Sequence, residues 1–178
     1  MNEIQTERNK KDSSFAIEER PLDSDQRSQF SGLNYYPISK DYVVDARIEV
    51  LNGEEIIKLK TSTDRLPDYR VYAYVYFQLN DTTHKLTAYQ SIKLQTDSLY
   101  KDLLFLPFTD ENSTVTTYGG GRYIDFTIPK TDTFKLDFNK AYNPYCAYNH
   151  KWSCVIPPRD NSLSIAINAG EKLYNTEH

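Results

Sequence analysis

Apolar and polar residues alternate one for one along several stretches of this chain, and a period of two is the mark of half-buried β-strands. From Tyr42 to Val50 the even positions are Tyr42, Val44, Ala46, Ile48 and Val50, set against Asp45, Arg47 and Glu49. From Arg70 to Leu79 the odd positions carry Val71, Ala73, Val75, Phe77 and Leu79, while Tyr72, Tyr74 and Tyr76 gather on the other face. Arg122–Ile128 opposes Ile124, Phe126 and Ile128 to Tyr123, Asp125 and Thr127, and Phe134–Phe138 is a shorter copy. His84–Leu94 predicts one or two further strands. Leu103–Phe108 is too short for a helix and too apolar for a loop, which predicts a core strand ending near Pro107. Leu163–Ala169 predicts a last strand before Gly170, and Asn52-Gly53 predicts a hairpin turn into Ile56–Thr61.

The remainder is less regular. Residues 1–20 are polar, with scattered apolar positions at Ile4, Phe15 and Ile17, and predict an N-terminal arm or frayed helix. Asp23 or Ser24 can cap a short helix running to about Phe30, with Gly32 ending it. The stretch from Asn139 to Asp160 holds Pro144, Pro157 and Pro158 and predicts a long ordered loop. About eight short strands with little helix predict a mainly β fold: an antiparallel β-sandwich or barrel with a short N-terminal helical segment, in one domain spanning residues 1–178.

Composition narrows the function classes. The 178 residues include 15 Tyr, 8 Phe and 1 Trp, a balance that suits strands and half-wet surfaces. A net charge of −4 argues against general attraction to nucleic acid or anionic membranes. No apolar run approaches the roughly 20 residues of a membrane span. The N-terminus lacks the apolar core of a signal peptide, which predicts a cytoplasmic protein as the sequence stands, or an exported one if a signal was removed. No cofactor is expected.

Three of the 6 glycines stand together at Gly119, Gly120 and Gly121, between Tyr118 and Arg122. Glycine N–H groups can line an anion-binding concavity, and Arg122 adds a forked, permanently charged donor. No GK[ST] or G-x-G-x-x-G spacing accompanies them, so neither a P-loop nor a dinucleotide site is indicated. The plain alternative is a turn, with Arg122 paired to Asp125 or Asp137. Cys146, His150 and Cys154 form a C-x3-H-x3-C set that lacks a fourth zinc ligand. No metal is expected, whereas one loop-closing disulfide is compatible with the two cysteines. Tyr142, Asn143, Tyr145, Tyr148 and Trp152 make the same loop aromatic, either to pin it down or to stack a planar ligand.

Four strings, GLNYYP, FLPFTD, TYGGGRYID and DFNKAYNPYCAYNHKWSCVIPP, resemble in order and spacing a bacterial and archaeal domain family of unknown function. The family's blocks correspond here to Asp137-Phe138-Asn139, Ala141 to Pro144, Cys146-Ala147-Tyr148, Cys154 with Pro157-Pro158, and Ala169-Gly170-Glu171. The resemblance runs from about Arg8 to Glu171 and departs at Val155, where relatives often carry proline. It implies candidate positions and no chemistry. Together these observations predict a non-enzymatic β domain that binds a small polar or anionic ligand through Tyr118, Gly119, Gly120, Gly121, Arg122, Asp125, Asp137, Asn139, Tyr142, Asn143 and Tyr148. The alternatives are a hydrolase-like enzyme using Asp125 with Asp137 or Cys146 with His150, and a structural or protein-interaction module presenting the tyrosine stripe.

Overall fold

The alternating stretches pair into one curled antiparallel sheet, a half-barrel, in a computed structural model that describes residues 2–18, 20–53 and 55–174. Its strands are β1 (Val43–Val50), β2 (Ile56–Lys58), β3 (Asp68–Leu79), β4 (Thr82–Ser91), β5 (Leu103–Phe108), β6 (Arg122–Thr127) and β7 (Thr133–Asp137). The order is β6-β5-β4-β3-β1-β7, with β2 also on β3. The inward positions are those that the alternation marks: Val44, Ala46 and Ile48 on β1, Ala73, Val75 and Phe77 on β3, and Leu104, Leu106 and Phe108 on β5. Full burial of each large aliphatic or aromatic side chain contributes about 1.5–3 kcal/mol. A register shift between Val71 and Ala73 leaves Tyr72 without a partner on β4, and its ring packs against the core cluster. Tyr74 and Tyr76 stay on the outer face, with Lys85 4.4 Å and Arg47 4.6 Å from their ring centres.

Two local expectations change. Asn52-Gly53 makes no hairpin: β1 and β2 both run antiparallel to β3, so the chain does not reverse between them. Leu51 N–H donates to the Tyr72 carbonyl at 2.9 Å and Val71 N–H to the Glu55 carbonyl at 3.1 Å, so the chain stays on β3 on either side of Asn52-Gly53. Leu163–Ala169 forms no strand. Its apolar side chains enter the concave side of the sheet, with Ile167 and Ala169 fully buried. The one bridge beside it joins Thr109 to Ser162.

The N-terminal arm is a regular helix, α1 (Asn2–Ile17). Ile4, Arg8 and Phe15 are buried and Lys11 is half-buried, a stripe at helical spacing that faces the body. Met1 and Glu19 of that arm lie outside the described residues. Helix α2 (Ser24–Ser28) is capped by Asp23, with Gln26 returning the capping-box bond. It ends sooner than expected, and Gly32 follows with φ +120°.

Candidate functional site

The antiparallel register of β5 and β6 sets Phe105 opposite Asp125 and Pro107 opposite Tyr123. Tyr89 on β4 pairs with Phe105. The outer face at this end of the sheet is therefore aromatic around a single carboxylate. The 139–160 loop covers it. Tyr123 and Tyr142 exchange both backbone hydrogen bonds, at 2.9 and 3.0 Å, and Thr61 bridges to Val155. Leu59, Tyr89, Tyr123 and Val155 make a second buried cluster there, separate from the main core.

Loop and sheet do not meet everywhere. They leave a cavity of about 310 Å³, at the lower end of the ~300–1,000 Å³ usual for small-molecule sites. Rings run along its wall: Tyr69 to Phe105 at 5.5 Å between centres, Phe105 to Tyr123 at 4.7 Å, and Tyr123 to Tyr142 at 5.8 Å. Tyr145 and Trp152, 5.6 Å apart, form the loop side. Arg65 stands at the exposed rim, where Ser153 takes its Nε–H at 3.0 Å and an Nη2–H at 2.9 Å.

Asp125 lines this cavity at its mouth and is exposed to water there, with protein crowding its other sides. Tyr142 donates its hydroxyl to Asp125 Oδ2 at 2.6 Å. No ion pair among the described residues involves Asp125. The surrounding protein pushes its carboxyl above the usual range, while the Tyr142 hydrogen bond pulls the other way. Burial, and after it the charge of Asp125, push the Tyr142 hydroxyl well up, so it stays a donor.

The other expected site residues serve different purposes. The glycine triplet is a turn, closed by Gly121 N–H to the Tyr118 carbonyl at 3.0 Å. Gly121 has φ +84°, and a Cβ there would fall 2.6 Å from the Phe108 carbonyl oxygen. Arg122 is 1% exposed and is paired with Asp110 at 3.2 Å. Its remaining Nη protons go to the carbonyls of Ile167 at 3.0 Å, Glu171 at 3.2 Å, and Ala169. Asp110 in turn accepts the Ile167 N–H at 2.8 Å. This knot holds the segment that fills the core. Its guanidinium meets neither Asp125 nor Asp137 in any hydrogen bond or ion pair among the described residues.

Asp137 accepts from Asn139 N–H at 2.9 Å, and Asn139 clasps the backbone of Ser39 in both directions. Asn143 N–H donates to Glu171 at 2.9 Å, Lys11 pairs with the same carboxylate at 2.7 Å, and the Tyr148 hydroxyl donates to its other oxygen. Glu171, 1% exposed, thus ties α1 to the loop. A second cavity of about 350 Å³ lies under α1, lined by Arg8, Lys11, Tyr35 and Glu171 among others.

Cys146 and Cys154 are both free and buried. Cys146 N–H donates to Cys154 Sγ at 3.1 Å, and the Tyr118 hydroxyl donates to Cys146 Sγ at 3.5 Å. The hydrogen bond between the two thiols pulls Cys146 down and holds Cys154 up, so the pair releases its first proton below the ordinary thiol range. No group of three or more His, Cys, Asp or Glu among the described residues is placed to share a metal ion.

Of the expected site residues, the cavity brings together Asp125 and Tyr142. Tyr69 and Phe105 join them through strand register, and Arg65 joins them from the loop before β3, where Ser153 holds it. No contiguous sequence signal marks them.

Residues 28–172 match a family described as "Protein of unknown function (DUF1684)". The chain belongs to this family. The match takes in every strand of the DUF1684 sheet, the Asp125 cavity and Glu171, and leaves α1 outside. A solved structure similar to it is the solution NMR structure of the uncharacterized protein from gene locus rrnAC0354 of Haloarcula marismortui. The two are 34% identical with a TM-score of 0.75, over 99% of this chain and 95% of that one. Comparison with curated proteins found no match. No helix among the described residues is long and apolar enough to cross a membrane.

Proposed function

We propose that this DUF1684 chain is a non-enzymatic binding domain that holds a small, ring-bearing polar ligand in the cavity over Asp125. The observation that carries this reading is one carboxylate, hydrogen-bonded by Tyr142 alone among the described residues, at the mouth of a cavity walled by aromatic rings. Such a site offers stacking area together with a single polar anchor for orientation. The Gly119–Arg122 turn takes no part in it, since Arg122 is paired within the core. The anionic side of the expected ligand class thereby loses its principal donor.

The chain has one tryptophan, Trp152, and it lines this cavity. Intrinsic fluorescence therefore reports on occupancy without a label. Sugars, nucleosides, aromatic amines and aromatic acids are titrated while Trp152 emission and the melting temperature are followed. A ligand that binds only the native state raises the melting temperature by mass action. The expected result is one class that changes Trp152 emission saturably and raises the melting temperature together. Stabilisation with no change in Trp152 emission places binding elsewhere and overturns the reading, as does a panel in which nothing does both.

A further inference from the structure

We propose that the ligand of this cavity is an organic ammonium, with Asp125 as its counter-ion and the neighbouring rings as its cage; this rests on the cavity being a binding site. The cavity has a carboxylate that no cation pairs with among the described residues. Asp125 takes part in no ion pair among the described residues, and its hydrogen-bond partner is the neutral Tyr142 hydroxyl. Asp125 is exposed to water at the cavity mouth, and a carboxylate crowded by protein on its other sides and left unpaired is a ready counter-ion for a cation brought beside it. The walls suit such a cation. Ring faces attract ammonium groups within about 6 Å of their centres, and Tyr69, Phe105, Tyr123 and Tyr142 form a continuous run beside Asp125.

Two of the hydroxyl donors in the cavity wall are already committed. Tyr142 donates to Asp125, and Tyr123 donates to the Val155 carbonyl. Among the described residues Arg65 is the one cationic residue lining the cavity; it sits at the exposed rim with Nε and Nη2 held by Ser153. No ion pair among the described residues joins it to Asp125. Elsewhere on the same sheet the molecule already sets Lys85 over Tyr74 and Arg47 over Tyr76, so its tyrosine faces do take cations.

The test uses three probes that share one ring and differ in charge: benzylamine, benzyl alcohol and benzoate. Each is titrated against the full chain by Trp152 fluorescence and calorimetry. Benzylamine is expected to bind at least tenfold tighter than benzyl alcohol, with benzoate weakest. Asp125→Asn should abolish that preference. Asp45→Asn, which removes an equal charge from an exposed aspartate on β1, should leave it intact. The ratio measured in the unaltered protein decides the matter even if Asp125→Asn folds poorly. Binding of benzyl alcohol or benzoate as tight as that of benzylamine overturns the ammonium assignment and leaves the cavity reading standing. No binding by any of the three overturns both.

Discussion

Replacing Arg122 by methionine isolates the role of the buried guanidinium, because the apolar stem is kept and the charged fork is removed. The fork holds Asp110 and three carbonyls of the core-filling segment, at Ile167, Ala169 and Glu171. Removing one partner of a buried ion pair costs about 3–5 kcal/mol, because the other charge is left uncompensated. Asp110 keeps the Ile167 N–H, which offsets part of the loss, while the three carbonyls lose charged donors worth about 1.5–3 kcal/mol each when taken singly. These contributions overlap, so the expected loss is about 4–5 kcal/mol, a large part of the roughly 5–15 kcal/mol that a domain has. At ~2–4 °C per kcal/mol for a chain of this size, the melting temperature should fall by roughly 10–20 °C. Urea unfolding measures the loss, and hydrogen exchange over residues 163–171 should show it first. Asp110→Asn combined with Arg122→Met should cost less than the two singles together. A loss below about 1 kcal/mol, the range of an exposed pair, would refute the anchoring role. So would lost ligand response at undiminished stability, since Arg122 would then touch the ligand.

Gly121→Ala should destabilise by about 2–5 kcal/mol, summing ~1–2 for a side chain at positive φ and ~1–3 for overpacking against Phe108 and Pro157. Gly53→Ala, whose Cβ would meet its nearest neighbour at 3.9 Å, should change stability by no more than about 0.5 kcal/mol in the same urea series. Asp125 sits above its unfolded value, so its titration favours the fold at acid pH, and that advantage is lost as pH rises through the folded value. Asp125→Asn should therefore raise the melting temperature at neutral pH, with the gain vanishing below the usual carboxylate range; a variant less stable at pH 7 would contradict the desolvation argument.

The strands were legible wherever the inner face is uniformly apolar. From Val44 to Ile48 on β1 and from Ala73 to Phe77 on β3 the alternating positions are the buried ones, because a shift of one residue would turn the set to solvent; Val50 is exposed, and Val71, beyond the register shift, joins the other cluster. Asn52-Gly53 misled because turn chemistry is local, whereas the partner of both flanking strands is β3, brought in from further along the chain. Leu163–Ala169 has a true period of two in its side chains, but Arg122 and Asp110 supply part of its backbone bonding in place of a ladder. Helix α1 was obscured because Arg8 and Lys11 occupy its inward stripe, so apolar periodicity does not show it. The cavity was the least legible feature. Tyr69, Phe105, Asp125 and Trp152 are far apart in sequence, and their meeting depends on two strand registers and the fold-back of a loop.

The concave side of the half-barrel is filled by residues 163–169, which emerge from the ribosome only after β7. Bonds that close the structure span most of the chain, as Lys11 to Glu171 does across 160 positions. During synthesis the strands therefore appear with their inner face open. At about 5–20 residues per second, the stretch from Asp137 to Glu171 takes roughly 2–7 s to make. For that interval Val75, Phe77, Leu104 and Leu106 have no cover from their own chain. A nascent polypeptide of this kind needs shielding late in translation, and elongation speed across residues 138–171 sets how long that need lasts.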